Sequence, residues 1–560
     1  MTKLPGEQDS FSDLEIIYEY HDRTKHHLHR YALSLGYMDW SSQPDPFRRY
    51  NKSTIFPLDH PQTTSAPTYD SLFYIRQPAA PLNRESISRL FYESLAISAW
   101  KQAGNNRWSL RVNPSSGDLH PTEAYLIAGP VAGLTDEAAV YHYSPFKHEL
   151  EHRVTLTDRE WESICQYLPR DSLLIVLTSI YWRESWKYGE RAFRYCHHDI
   201  GHAVGTITFA TAALGWKTVL QHSVKDEDME ILTGINQQEG IEAEHADCLL
   251  AVYPSDEDHV AAGDPVCIPA TLLARLKAAD YEGYPNTLSS HHHAWPVIDS
   301  VAKASRVNEV FAANLHSRTC GNARYPDRNI PVRKIIRQRR SAVAMDKHTG
   351  ISKETFYRIM ADVCPYPGNN ILDVLPWSPC VSLALFLHRV DDLPAGLYML
   401  VRDPDHESSL RSTLLPGFLW DKPEGCPDSL PLYLLQRADT RDAARTISCH
   451  QDIAADGAFA LGMLAALDTA LEQYGPSFYP RLFWETGLIG QILYLEAEAA
   501  GIRSTGIGCF FDDTMHQVLG IHDHSWQSLY HFTVGGPVDD PRLQTLPSYW
   551  HMKKGLRTED

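Results

Sequence analysis

"KYGERAFRYCHHDIGHAVGTITFATAALGWKTVLQHSVKDEDMEILTGI", from Lys187, and "QYGPSFYPRLFWETGLIGQILYLEAEAAGIRSTGIGCFFDDTMHQVLGI", from Gln473, align without a gap at an offset of 286 residues. Tyr188 meets Tyr474, Gly189 meets Gly475, Gly201 meets Gly487, Gly215 meets Gly501 and Asp226 meets Asp512. Met229 with Met515, and Gly234-Ile235 with Gly520-Ile521, hold the register to the end. A register kept through two helices and a strand marks a duplication. The chain therefore reads as a fused pseudo-dimer. In each copy the spacing predicts a long helix, Ile200 to Leu214 or Thr486 to Ala500, stopped at Gly215 or Gly501. A short strand or loop follows, then a second helix with Asp226 or Asp512 as its N-cap.

Working outward, "PLNRESISRLFYESLAISAW" (from Pro81) and "GISKETFYRIMADV" (from Gly350) read as matched amphipathic helices. "TEAYLIAGPV" with "AVYHYS", and "SLALFLHR" with "GLYMLVR", read as paired strands. The apolar run Gly457 to Leu467 reads as a buried core helix. The expected fold is α+β, with two tandem domains, each a mainly antiparallel sheet wrapped by helices. Their bounds are residues 65–256 and 330–560, preceded by an extension over 1–64 and joined by a linker over 257–329. The linker centre, with "NTLSSHHHAWP", lacks sustained periodicity.

Bulk composition narrows the function classes. A formal net charge of −19 with no long basic run disfavours a nucleic-acid partner. No apolar run reaches the roughly 18 residues needed to span a bilayer, so no membrane role is expected. The opening "MTKLPGEQDSFSDLE" is polar and has no signal-peptide core. Ten scattered cysteines without CxxC pairs suit reduced thiols and a cytoplasmic location.

Four elements carry chemistry. In "RQRRSA", Arg337, Arg339 and Arg340 stand beside Ser341, a set suited to a phosphate dianion; alone, such a cluster is more often a solvated face. "NPSSGDLHP" holds Pro114, Ser115 and Ser116 in a turn whose N–H groups and hydroxyls can line a polar planar ligand. In "STGIGCFFDD", Gly506, Ile507 and Gly508 allow the backbone close to a flat ring, without forming a full phosphate-binding glycine fingerprint. In "KYGERAFRY", Lys187 and Tyr188 lie among Arg183, Arg191 and Arg194, whose charge should disfavour ammonium and favour phenolate. "HDIGH" (His198 to His202) mimics a zinc-binding spacing, but its repeat partner "ETGLI" has no histidine, so no metal is expected.

In this order the elements resemble the nitroreductase superfamily, and more narrowly its SagB/ThcOx-type dehydrogenases, which oxidise azoline rings to azoles in peptide-derived natural products. "YHDRTKHHLHRYALSLGYMDWSSQPDPFRRY", "VYHYSPFKHELE", "RQRRSAVAMD", "LPAGLYML" and "GLIGQILYLEAEAAGIRSTGIGCF" extend the resemblance from about residue 18 to 545. The resemblance implies FMN at the interface of two copies. Arg339, Arg340 and Ser341, aided by Arg337 or Arg542, would hold the phosphate, with Gly506-Ile507-Gly508 beside the ring. Pro114-Ser115-Ser116 would come from the other copy. Asp70-Ser71-Leu72, Leu220-Gln221-His222 and "LPWSPC" stand where the converse elements belong, so one composite site is complete and its mirror decayed. Lys187 and Tyr188 match the branch's catalytic pair, one of which removes a proton while hydride passes to flavin; Gln473-Tyr474 replaces it in the other copy. The implied partners are a peptide-derived or small-molecule substrate and a biosynthetic partner enzyme. The chain itself is expected as a monomer or weak homo-oligomer. Two alternatives remain open: an FMN-dependent NAD(P)H reductase of nitro or quinone compounds, and a non-catalytic peptide-binding scaffold.

Overall fold

The computed structural model describes residues 12–62, 66–169, 171–222, 224–254, 266–307, 325–366 and 368–552. Helices Ala192–Ala213 and Tyr479–Ala499, one from each copy, run through the middle of the molecule with nearly every side chain buried. Both begin earlier than the periodicity indicated, because buried polar residues such as Arg194, His197 and His198 mask the apolar face. Shorter helices precede them, Tyr181–Tyr188 and Leu467–Tyr474, ended by Gly189 (φ 57°) and Gly475 (φ 79°). Helices Asp226–Thr233 and Asp512–Leu519 follow, each closed by a left-handed glycine, Gly234 or Gly520. All of these keep the 286-residue offset or fall within a residue of it.

The two central helices cross at Gly201 and Gly487, which the sequence paired. A Cβ on Gly201 would stand 2.2 Å from the Trp484 carbonyl oxygen, and one on Gly487 would stand 2.3 Å from that of His198. Only glycine lets the backbones meet this closely.

Each copy lays an antiparallel sheet against this pair. In strand order the first is Ile55–Pro57, Glu149–Leu156, Ala138–Ser144, Thr122–Ala128, Leu173–Ser179, His245–Pro254 and Trp216–Gln221. The second runs Leu432–Arg437, Gly396–Leu400, Val381–Leu387, Phe459–Ala465, Gln527–Gly535 and Arg503–Ile507. This is the expected α+β class, and both expected strand pairs form, with Tyr125 opposite His142 and Leu385 opposite Tyr398.

Several local readings need correction. Residues 457–467 hold the strand Phe459–Ala465, not a helix. Neighbours flank it on both sides, so every position is buried and the alternation that betrays a strand is missing. "PLNRESISRLFYESLAISAW" is a helix only over Arg84–Ser94; Ile97–Ala103 is a strand. Asp226 and Asp512 are first helical residues, with Lys225 and Phe511 as the caps. Segment 257–329 contains helices Ala270–Lys277 and Pro296–Ala304, and the latter packs on helix Asp13–Arg23 of the N-terminal extension. That extension also supplies an edge strand of the first sheet. At the other end of the chain, Gln544–Pro547 pairs with Ile97–Ala103 of the first copy. Among the described residues no helix is long and apolar enough to cross a membrane.

The crossing yields a prediction. Glycine to alanine in a helix ordinarily gains about 1 kcal/mol, but a Cβ at 2.2 Å from a carbonyl oxygen forces the helices apart. Gly201→Ala or Gly487→Ala should therefore destabilise by about 1–3 kcal/mol in chemical denaturation. Gly417→Ala, with open space around its Cβ, should stay within about 0.5 kcal/mol of wild type.

Candidate functional site

Helix Val332–Gln338 stops at Arg339, and the chain turns extended. Ser341 then bridges Ser504 in the strand Arg503–Ile507, with the Ala342 N–H donating to the Ser504 carbonyl at 3.0 Å. This brings Arg339–Ser341 alongside Gly506–Gly508. Tyr494, on the second central helix, fastens the two: its hydroxyl lies 2.8 Å from Ser341 Oγ and accepts the Gly506 N–H at 3.0 Å. The turn carrying Pro114, Ser115 and Ser116 comes from the first copy. All three segments line one cavity of about 850 Å³ between the copies.

Part of its wall is basic. Lys101, Arg340 and Arg503 line it, and the Arg340 guanidinium is committed to the carbonyls of Arg337, Arg339 and Ser98. Arg339 is 4% exposed and donates to the Arg111 carbonyl at 3.2 Å, while its Nε has no partner. Burial pulls this guanidinium below its usual range. A buried cation in the wall of a cavity, with one donor left unpartnered, suits an anionic ligand, because an unmet donor costs about 1–3 kcal/mol.

Another part of the wall carries acids. Asp199 accepts the Ser116 N–H at 3.2 Å; burial pushes its carboxyl up to about 8, against hydrogen bonds from Ser115 and Ser116. Burial also pushes Asp118 up to about 6. Glu184 is raised well above the carboxylate range by burial and by Asp199. Lys187 and Tyr188 lie beneath this turn. A Cβ on Gly117 (φ 64°) would stand 2.6 Å from Tyr188 Oη and 2.8 Å from Lys187 Nζ. Tyr188 is in the cavity wall; Lys187 is not, its Nζ lying 5.0 Å from the centre of the Tyr188 ring.

The field around the pair is opposite in sign to the expectation. Arg191 and Arg194 both pair with Asp512, and Arg183 pairs with Glu123. The groups that act on Tyr188 are instead the carboxyls of Glu184, Asp199 and Asp118. Burial first, then Glu184, with Tyr195, Asp199 and Asp118, push its phenol well above its ordinary value, so Tyr188 is a neutral hydrogen-bond donor.

Arg337 and Arg542 also fall outside the cavity wall. The Arg337 guanidinium donates to the carbonyls of Tyr92 and Ile97, and Arg542 is exposed and pairs with Asp540. Gly506 and Gly508 are glycine for an unexpected reason. A Cβ would meet Tyr530 Oη at 2.1 Å and the Tyr195 ring at 2.3 Å respectively. The rings they admit are the protein's own. In "HDIGH", His198 stacks on Tyr530 at 4.0 Å and bonds Thr486, while His202 meets Tyr530 Oη at 3.2 Å. Among the described residues no group of three His, Cys, Asp or Glu stands close enough to hold a metal ion. Sequence reasoning missed Tyr494 and Tyr530, which no local motif marks; Tyr195 and Asp199 fall inside "KYGERAFRY" and "HDIGH", but neither motif gave them a place in the cavity wall.

The model of the nitroreductase family matches residues 81–252 and 431–536, taking in segments of both copies. The matched stretches make up just under half of the chain, whose two copies have the nitroreductase fold. A solved structure of a nitroreductase-type protein from Anabaena variabilis superposes with a TM-score of 0.68 at 21% identity, over 93% of this chain and 99% of that one. The tandem nitroreductase fold thus recurs over that whole chain. A nitroreductase-named protein of Methanocaldococcus jannaschii is 22% identical over 167 residues, 28% of this chain and 78% of its own length. A chain of the Escherichia coli microcin synthetase complex aligns with 36% of this chain at 16% identity and a TM-score of 0.28.

The mirror position in this tandem nitroreductase fold is filled by protein. Asp70, the counterpart of Arg339, is held by Arg328 and Arg358, and Arg328 also pairs with Glu496 at 2.9 Å. Glu485, the counterpart of Asp199, accepts the Cys380 N–H at 3.0 Å as Asp199 accepts that of Ser116, but Arg402 neutralises it.

Asp199 makes the site pH-sensitive. A carboxyl raised in the folded state keeps its proton longer than in the unfolded chain, so its contribution to stability falls as pH rises from about 4 to about 8. Wild type should lose stability relative to Asp199→Asn across that window when both are unfolded by denaturant. Parallel pH profiles would contradict the assignment.

Proposed function

We propose that this protein is an oxidoreductase holding one FMN per chain in the 850 Å³ cavity between its copies. The supporting observation is the asymmetry: one composite cavity carries a buried, partly unpartnered Arg339, while ion pairs occupy its mirror. In this reading Arg339 and Ser341, with Arg340, take the phosphate through charge-assisted bonds. The Gly506–Gly508 and Pro114–Ser116 segments flank the ring. FMN, when bound, supplies two-electron hydride acceptance.

The chain's own residues supply the proton chemistry. We assign the substrate as an azoline ring of a peptide-derived molecule, a reading that rests on the match of Lys187 and Tyr188 to the azoline-oxidising branch and on their place under the Pro114–Gly117 turn. Because its surroundings keep Tyr188 a phenol, Tyr188 donates a hydrogen bond to the substrate. By the same match, one of the pair removes the ring Cα proton.

Three kinds of measurement test this assignment: flavin content, FMN affinity and turnover. Flavin released from the purified chain should amount to one FMN per chain, and two would refute the single site. Arg339→Ala should weaken FMN binding roughly ten- to a hundred-fold, the equivalent of about 1.5–3 kcal/mol, while Arg76→Ala in the first copy leaves it unchanged. Lys187→Ala and Tyr188→Phe should keep FMN yet lose about 10²–10⁴-fold in turnover of an azoline peptide. Tyr474→Phe, in the mirror position, should have little effect. Intact azoline turnover in both first-copy variants, or NAD(P)H-driven reduction of a quinone with no azoline turnover, would move the reductase reading ahead.

A further inference from the structure

Cys449 and Cys509 are 60 residues apart in the chain, and their sulfurs lie 2.8 Å apart. Cys509 follows Gly508 and stands in the cavity wall. Cys449 sits in a tight turn with His450, both at positive φ (53° and 59°). The same turn leads to Gln451, another wall residue, whose Nε2 donates to the Cys509 carbonyl at 3.1 Å. Both thiols are partly exposed, whereas Cys196, Cys248, Cys364, Cys380 and Cys426 are buried.

The surroundings divide the labour between the two sulfurs. Arg191 reaches this loop, donating to the Gly508 carbonyl at 3.3 Å. The Cys449 thiol and Arg191 together lower the Cys509 thiol, while the same contact and burial raise Cys449. A thiolate beside a protonated thiol is the arrangement that attacks a disulfide and is then resolved.

We infer that Cys449 and Cys509 are a redox-active dithiol in the wall of the cavity, exchanging with small-molecule disulfides. The Cys509 thiolate attacks one sulfur of RS–SR; an S–S bond forms to Cys509 and one RS⁻ leaves, taking up a proton. Cys449 then gives up its proton and attacks the Cys509 sulfur, releasing the second RS⁻. The net exchange is two cysteine thiols plus RSSR giving one intramolecular disulfide plus two RSH. A small thiol in excess reverses it. The closed bond ties the turn at 448–451 to the loop at 506–509 without any need for bound flavin.

The test uses the full chain, oxidised glutathione and peptide mapping after alkylation, with exposed Cys267 as an internal reference. In wild type, Cys449 and Cys509 should both be lost to alkylation as a Cys449–Cys509 crosslinked peptide and recovered with dithiothreitol. In Cys449→Ser, whose hydroxyl can still donate to the Cys509 sulfur beside Arg191, glutathione should be trapped on Cys509 roughly tenfold faster than on Cys267. Cys509→Ser should show no such enhancement at Cys449. Circular dichroism confirms that each variant is folded. The proposal fails if both thiols stay alkylatable after Cys267 has reacted fully. It fails equally if glutathione accumulates on both without a crosslink, or if Cys509 in Cys449→Ser reacts no faster than Cys267.

Discussion

Everything in this molecule hangs on the contact of two glycines, Gly201 and Gly487, where the central helices cross. Because those backbones touch, residues one turn away on each helix face across the seam instead of into their own copy. His198 of the first copy thus stacks on Tyr530 of the second. The composite cavity is built from both copies because the crossing leaves no room for a boundary between them. Widening it by one methyl group at this point would shift the Asp199 side of the cavity relative to the Tyr494 side.

The duplication then allowed the two halves to diverge around an unchanged frame. Asp512 is buried between Arg191 and Arg194 of the opposite helix. At the mirror position those arginines are Ser477 and Pro480, and Asp226 instead caps the Val307 N–H. The same contrast separates Asp199 from Glu485, since one keeps a raised carboxyl and the other has Arg402. Neutralising an acid with a buried arginine makes it structural. Leaving the acid without one keeps it available for chemistry.

The tandem fold was legible in the sequence because the repeat supplies its own comparison, and the grouping of the three cavity segments because their order resembles the nitroreductase superfamily. Arg339–Ser341, Pro114–Ser116 and Gly506–Gly508 stand out only where the other copy lacks them. What could not be read was long-range. The sign of the field at Tyr188 depends on Asp512, over 300 residues away in the chain, which takes up two of the nearby positive charges. Arg337 and Arg542 looked equivalent to Arg339 by type, yet carbonyls and a neighbouring carboxylate had already claimed them. The reason for Gly506 and Gly508 lies in Tyr530 and Tyr195, which no motif near residue 506 announces. The strand at Phe459–Ala465 was misread because complete burial erases the period that tells strand from helix.

The exchange of the strand Gln544–Pro547 onto Ile97–Ala103 has a consequence for how the protein comes into being. During synthesis the hairpin of the first copy leaves the ribosome about 440 residues before the strand that covers its edge. At roughly 5–20 residues per second that is about 20–90 s with a row of N–H and C=O groups open to other chains. The half-buried end of that strand reads Trp100-Lys101-Gln102, and a lysine there keeps a waiting edge from pairing with strangers. Lys101 later donates to Thr545 of the arriving strand at 2.8 Å. The side chain that guards the edge during the wait becomes one of the contacts that completes the cavity wall.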